Sequence, residues 1–95
     1  MISEQNQPSL PHVTIIVPVY NAENYITETL DSAFSQTYKN FDVVCVDDCS
    51  TDNSVAIIQE YRKTLTGTRQ LTLVQLEKNS GPSVARNKGI QIARG

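Results

Sequence analysis

Three short apolar runs, each followed by a segment with helical periodicity, most constrain how this chain can fold. The runs cover residues 13–18, 41–46 and 71–76 and are rich in valine, isoleucine and leucine. Strands buried on both faces of a parallel sheet have this near-continuous apolar character, and strands that alternate with helices favour βαβ units. The sequence therefore predicts an α/β fold: a Rossmann-like parallel sheet with helices on its faces, in the order β-α-β-α-β-α.

The three helices have recognisable starts or ends. The first repeats apolar residues from Ile26 and is expected to end near residues 36–37, with Asn21 as its N-cap. The second is expected over residues 53–65, before a terminating glycine. Pro82 occupies the first position of the third, where proline is tolerated. The third strand alternates more than the others, which predicts a position near an edge of the sheet.

Length and composition exclude several classes of protein. The 95 residues suffice for one small domain, which we expect over residues 13–95 after a flexible polar tail at 1–12. Ten acidic against eight basic residues give a net charge of −2, which argues against a basic nucleic-acid-binding domain. No apolar run is long enough to span a bilayer, and the N-terminus lacks the features of a secretory signal. We therefore expect a cytoplasmic protein without a membrane segment.

The two cysteines, Cys45 and Cys49, are too few for a disulfide scaffold. A structural zinc site needs two further ligands, and the only histidine is His12, in the expected tail. The sequence thus predicts two free thiols in a reducing compartment and no metal site.

Chemistry-bearing residues follow the strands, and right-handed crossovers place those strand ends along one edge of the sheet, where ligands bind. Pro18, Val19 and Tyr20 end the first strand; Tyr20 can offer a ring to a flat base or cover the end of the sheet. Glu23 either contacts a ligand or complements the dipole of the first helix.

Two carboxylates, Asp47 and Asp48, follow the second strand. Successive side chains of a strand point to opposite faces, so one can accept a hydrogen bond from an N–H edge such as a pyrimidine imide while the other holds the turn. Both can also serve only as turn and cap residues.

After the third strand, Arg86 lies one turn into a helix, where it either reaches a phosphate or remains a solvated surface group.

No P-loop, dinucleotide fingerprint, serine elbow or zinc-protease motif is present. Four blocks, however, resemble the family-2 glycosyltransferases in order and spacing: VTIIVPVYNAE at 13–23, QTY at 36–38, VCVDDCSTD at 44–52 and NSGPSVARNKG at 79–89. The resemblance covers residues 13–95. It implies the N-terminal half of a GT-A fold in an inverting enzyme, which transfers a sugar from a nucleotide-diphosphate donor, with UDP favoured, to an acceptor hydroxyl.

The resemblance also implies roles for individual residues. Pro18, Val19 and Tyr20 would line the base pocket with Glu23 beside it, Asp48 rather than Asp47 would hold the uracil imide, and Arg86 would lie near the base or diphosphate. In this family the next strand ends in an Asp-x-Asp or Asp-Asp element that holds Mg²⁺ or Mn²⁺, and a general base follows. Both are expected beyond Gly95, so we expect no catalytic residue, no tight metal binding and no turnover in this chain, and a divalent metal in the full-length enzyme.

Two further expectations follow from the resemblance. The strand that would pair with the outer edge of residues 13–18 is expected beyond Gly95, and a bare strand edge is a template for pairing with another chain, so homo-association through that edge is expected. The full-length protein can be peripheral to the membrane.

The alternative is a non-catalytic nucleotide- or partner-binding α/β module. A response-regulator receiver requires an acidic pair after the first strand, and a nucleotidyltransferase requires a glycine-rich basic loop there. The first strand ends in Pro18-Val19-Tyr20, which is not the acidic pair of a receiver, and residues 21–23, Asn-Ala-Glu, do not form a glycine-rich basic loop. A short protein that binds a nucleotide or a partner without chemistry also remains open.

Overall fold

A computed structural model describes residues 11–93 of the chain, and residues 1–10 of the expected tail lie outside this range. The described part has six elements in the expected order: β1 (Val13–Val19), α1 (Ile26–Phe34), β2 (Phe41–Asp47), α2 (Ser54–Lys63), β3 (Leu71–Gln75) and α3 (Pro82–Ala93). None of the described helices is long and apolar enough to cross a membrane. The predicted α/β class is confirmed.

The three strands form one parallel sheet in the order β1-β2-β3. Val13 of β1 is opposite Phe41 of β2, and Val43 of β2 is opposite Leu71 of β3. Within residues 11–93, β2 is therefore the central strand, while β1 and β3 each have one neighbour. The edge position predicted for the third strand is confirmed in this part of the chain.

The central strand β2 is buried on both faces, which explains its continuous apolar sequence. Val43 and Cys45 pack with residues of α1 and α2, including Leu30 and Ile58. Val44 and Val46 point the other way and pack with Ala85 of α3 and with partly buried side chains of the neighbouring strands. Because side chains alternate along a strand, one strand supplies both layers of the core.

Helix α3 approaches the sheet closely at Gly89. A Cβ atom at this position would lie 2.5 Å from Ile16 Cγ2 and 3.3 Å from Val46 Cγ2. Glycine disfavours a helix by about 1 kcal/mol relative to alanine. Its presence in α3 is explained by this contact with β1 and β2.

The start of α1 differs from the expectation. The predicted N-cap, Asn21, is wrong: the N-cap residue is Tyr25, and the Asn21 side-chain oxygen accepts a hydrogen bond from the Thr51 amide at 2.8 Å. A turn closed by the Tyr25 amide and the Ala22 carbonyl, 3.0 Å apart, separates Asn21 from the helix. The helix also ends at Phe34, earlier than residues 36–37.

Helix α2 is also shorter than expected and ends at Lys63 instead of Leu65. The Thr64 amide and hydroxyl both donate to the Tyr61 carbonyl, and the Leu65 amide donates to the Arg62 carbonyl. These i→i−3 contacts tighten the last turn and close the helix.

The two cysteines are free, as predicted, with Cys45 buried and Cys49 exposed. Burial in the core raises the pKa of the Cys45 thiol to about 12. Among residues 11–93, no group of three or more histidine, cysteine, aspartate or glutamate side chains could hold a metal ion.

Candidate functional site

A pocket of about 360 Å³ lies at the carboxyl ends of β1 and β2, beside the start of α3. Four of the predicted site residues line it, and three do not. Its lining consists of Pro18, Val19, Tyr20, Tyr25, Asp48, Asn79, Gly81, Pro82 and Ala85. Of the predicted set, Glu23, Asp47 and Arg86 are absent from this lining.

The register of the sheet brings the residues after β1 and β2 together. Val19 is opposite Asp47, and the Asp48 amide donates to the Val19 carbonyl at 2.8 Å, which continues the ladder beyond the strand. Tyr20 therefore follows β1 at the level where Asp48 follows β2. Tyr20 is 50% exposed and Asp48 only 3% exposed, so the pocket combines an accessible ring with a buried carboxylate.

The Asp48 carboxylate holds the start of α3. Its Oδ1 accepts from the Ser80 amide at 2.7 Å, and its Oδ2 accepts from the Gly81 amide at 2.8 Å. Amides at a helix N-terminus have no partner inside the helix and lie at the positive end of its dipole, so a carboxylate stabilises them. Each carboxylate oxygen has a second lone pair, and Asp48 can therefore accept a further hydrogen bond from a ligand.

Asp47 faces away from the pocket and closes the turn after β2. Its Oδ1 accepts from the Ser50 hydroxyl at 2.5 Å, and its Oδ2 accepts from the Ser50 amide at 3.0 Å. The two neighbouring carboxylates thus serve two different turns, because the strand alternation directs their side chains to opposite faces.

Glu23 lies against the start of α2, not in the pocket. Its Oε1 accepts from the Asn53 amide at 3.0 Å, while its own amide donates to Asp52 Oδ2 at 3.1 Å. The expectation that Glu23 lies in the first turn of α1 and complements its dipole is therefore wrong. The Glu23 carboxylate instead accepts a hydrogen bond from the amide of Asn53, the residue that precedes α2. The long turn between β1 and α1 carries Glu23 across to the neighbouring loop.

Ser54 joins the same two loops from inside the protein. Its side chain is fully buried, and its hydroxyl oxygen accepts from the Ala22 amide at 2.7 Å and donates to Asp52 Oδ1 at 2.6 Å. Desolvation alone would raise the pKa of Asp52, but hydrogen bonds from the Ser54 hydroxyl and amide and from the Glu23 amide hold it below its usual value. We call residues 20–25 and 48–54, joined in this way, the paired loops.

Arg86 lies on the exposed surface of α3, about one turn after Pro82. The structure does not bring it into the lining of the pocket. Conversely, five residues that line the pocket are outside the predicted set: Tyr25, Asn79, Gly81, Pro82 and Ala85. Tyr25 and Asn79 are the ones whose side chains can contact a ring or donate a hydrogen bond. The available signals were a second tyrosine just before α1 and an asparagine before the Ser80-Gly81 turn, both at the carboxyl edge of the sheet.

The model of the family described as Glycosyl transferase family 2 matches residues 14–95. The chain belongs to this family. Its parallel sheet, with a pocket at the carboxyl ends of the strands, is the predicted GT-A architecture, and solved glycosyltransferase structures superpose on it.

Two curated relatives are bacterial enzymes. The chain is 42% identical over 85 residues to the putative teichuronic acid biosynthesis glycosyltransferase TuaG of Bacillus subtilis (strain 168), covering 90% of this chain and 32% of that protein. It is 46% identical over 85 residues to the poly(ribitol-phosphate) beta-N-acetylglucosaminyltransferase TarS of Staphylococcus aureus (strain Mu50), covering 86% of this chain and 14% of that protein. The chain thus spans a third or less of these relatives.

Two solved structures carry ligands. S. aureus TarS 1–349 in complex with UDP superposes with a TM-score of 0.76 at 44% identity, covering 90% of this chain and 25% of that one. The mannosyltransferase PcManGT of Pyrobaculum calidifontis in complex with GDP-Man and Mn²⁺ superposes with a TM-score of 0.81 at 34% identity. The match covers 90% of this chain and 25% of that one.

Proposed function

We propose that the pocket binds the nucleoside part of a nucleotide-diphosphate sugar, with a uracil base favoured. The protein to which this chain belongs then transfers the sugar to an acceptor hydroxyl with inversion. Membership of glycosyl transferase family 2 and the UDP complex of a relative at 44% identity support this proposal.

The position of Asp48 beside Tyr20 in one pocket is the observation that carries the proposal. Uracil presents an imide N–H on its edge and a flat face. Asp48 supplies an acceptor for the edge, because each of its oxygens has a lone pair beyond those used by Ser80 and Gly81. Tyr20 supplies a ring for the face. Buried polar groups at a partly apolar pocket fix the orientation of a ligand in this way.

The other predicted residues take different roles. Pro18 and Val19 form an apolar wall of the base pocket. Arg86, on the exposed side of α3, is proposed to meet the diphosphate as it leaves the pocket. Asp47 and Glu23 are proposed as frame residues that hold the turns, since their carboxylates accept hydrogen bonds from Ser50 and Asn53.

A divalent cation, Mg²⁺ or Mn²⁺, is proposed for the full-length enzyme, where it would offset charge on the leaving diphosphate. The residues described here do not fit such an ion: residues 11–93 hold no cluster of three or more candidate ligands. We therefore propose no metal ligand within this range.

Self-association through the outer edge of β1 stays a prediction. Within the described residues β1 pairs only with β2, which leaves its other edge without a neighbouring strand. Sedimentation velocity over a range of concentrations tests it, and a monomer at every concentration would contradict it.

The test is a titration of the ¹⁵N-labelled protein with UDP, followed by NMR, with GDP and ADP for comparison. We expect amide shifts to concentrate at residues 19–20, 48 and 79–81, and UDP to bind more tightly than the other nucleotides. Tyr20→Ala should weaken UDP binding about tenfold and leave the fold intact. Gln59→Ala, on the exposed surface of α2, is the control. A protein that binds none of the three nucleotides would contradict the proposal.

A further inference from the structure

We infer that Tyr25 is a second aromatic contact for the nucleoside of the donor, made through the face of its ring. The inference rests on the proposed function, because it concerns the same pocket. It adds a residue that neither the motif blocks nor the expected site had indicated.

The exposure of Tyr25 is the first reason. It is 54% exposed, slightly more than Tyr20, and both rings line the same pocket. The other exposed large apolar side chains of residues 11–93 are Val13, Val84 and Ile90, and none of them lines it. A tyrosine buries a large area when it packs, so two tyrosines left open at one concavity mark a surface that a ligand covers.

The backbone of Tyr25 is held rigidly, which is the second reason. Its amide donates to the Ala22 carbonyl at 3.0 Å, and its carbonyl accepts from the Thr29 amide at 3.0 Å and from the Thr29 hydroxyl at 3.2 Å. Ala22 is itself buried and bonded to the Ser54 hydroxyl. The ring is therefore presented from a fixed position, and binding does not have to order the loop first.

The chemistry of the remaining lining is the third reason. Pro18, Pro82 and Ala85 are apolar, and no lysine or arginine of residues 11–93 lines the pocket. The only charged side chain in the lining is Asp48, whose carboxylate repels an anion. Such a lining disfavours a diphosphate and suits a flat neutral ring, to which tyrosine faces contribute by stacking.

The test compares Tyr25→Ala with Tyr25→Phe by calorimetric titration of UDP. Phenylalanine keeps the ring and loses the hydroxyl, so Tyr25→Phe should bind within about twofold of the unchanged protein, and Tyr25→Ala roughly tenfold more weakly. Ile90→Ala, which truncates an exposed apolar side chain outside the pocket, should change nothing. In the unchanged protein, nuclear Overhauser effects should connect the Tyr25 ring to uridine H5 or H6.

The outcomes separate this inference from the proposed function. UDP binding with no loss in Tyr25→Ala would overturn the inference and leave the proposed function standing. If Tyr25→Phe and Tyr25→Ala weakened UDP binding equally, the inference would also be overturned. The contact would then be made by the hydroxyl and not by the face of the ring. If the unchanged protein bound none of UDP, GDP and ADP, the proposed function and the inference would both fail. A Tyr25→Ala protein with an unchanged melting temperature and weakened binding supports the inference.

Discussion

The Gly81 amide donates a hydrogen bond to Asp48 Oδ2 at 2.8 Å, although the two residues are 33 positions apart in the chain. The other oxygen of the same carboxylate, Oδ1, accepts a hydrogen bond from the Ser80 amide. One side chain therefore both faces the pocket and fixes the start of α3, whose first residues form the opposite wall. The position of the helix therefore depends on the same carboxylate to which we assign the proposed recognition of a base.

Asp48→Ala should destabilise the protein by about 1–3 kcal/mol, because it leaves two backbone amides at the start of α3 without their acceptor. Asp48→Asn retains one acceptor oxygen and should cost less. Urea denaturation measures both. Glu60→Gln, which removes an exposed i,i+3 ion pair with Lys63, is the matched control and should change stability by less than about 1 kcal/mol. Equal stability of Asp48→Ala and the control would contradict the structural role of Asp48.

Gly89→Ala should destabilise the protein by about 1–3 kcal/mol through overpacking, even though alanine is the better helix former. The new Cβ would meet Ile16 Cγ2 at 2.5 Å. A double-mutant cycle with Ile16→Ala, measured by denaturation, should show that the second change makes Gly89→Ala less costly. Asn87→Ala on the exposed face of α3 is the control. Simple additivity of the two changes would show that this contact is not the cause.

Ser54→Ala should cost about 1–3 kcal/mol, because it leaves the Ala22 amide without the acceptor that it meets at 2.7 Å. It should also weaken UDP binding, since the paired loops carry Tyr20 and Asp48. Thermal melting and nucleotide titration report the two effects separately. Ser32→Ala, on the exposed surface of α1, should be neutral. Normal stability in Ser54→Ala would contradict the role assigned to this hydroxyl.

The pKa of His12 should lie above its ordinary value of 6.5. The main cause is the hydrogen bond between its ring and the Asp42 carboxylate, and a hydrogen bond to the Asn40 side chain adds to the effect. Since the folded pKa is raised, the stability from this contact is fully present below pH 6.5 and is lost as pH rises through the folded pKa. His12 is the only histidine, so its ring protons are unambiguous in NMR. Asp42→Asn should lower the pKa, and an unchanged value would refute the pairing.

The two thiols should react at very different rates. Cys45 is buried in the core with its pKa raised to about 12, whereas Cys49 is exposed. Because the thiolate is the reactive form, iodoacetamide at neutral pH should label Cys49 alone in the folded protein and both residues in urea. Mass spectrometry of the labelled peptides distinguishes the two. Fast labelling of Cys45 without denaturant would show that the core opens readily.

The order of the elements could be predicted from the sequence because the strands are continuous apolar runs and the helices have clear periodicity. The start of α1 could not. Asn21 has the residue type of an N-cap, but its side chain bonds to Thr51, a partner 30 positions away. The local preference of asparagine for the N-cap position is outweighed by this contact between two loops. A pattern of neighbouring residues does not contain that information.

The same limit applies to the site. Pro18, Val19, Tyr20 and Asp48 were predicted, and they line one pocket because each follows or ends a strand at the carboxyl edge. Glu23 has the same sequence signature, yet its carboxylate bonds to the Asn53 amide. Whether an acid at a strand end faces a ligand or a neighbouring turn depends on the path of the whole turn, which residue type and spacing leave open.

The frame of the pocket and its surface are built from different parts of the chain. Ser54, Asn21, Glu23 and Asp52 hold the paired loops through backbone amides and short polar groups, and none of them lines the pocket. The exposed rings of Tyr20 and Tyr25 contribute little to that frame. The rings can therefore be exchanged while the loops keep their shape, so the proposed stacking on a base can be strengthened or removed independently of the frame. Asp48 cannot be exchanged in this way, because it also holds the start of α3.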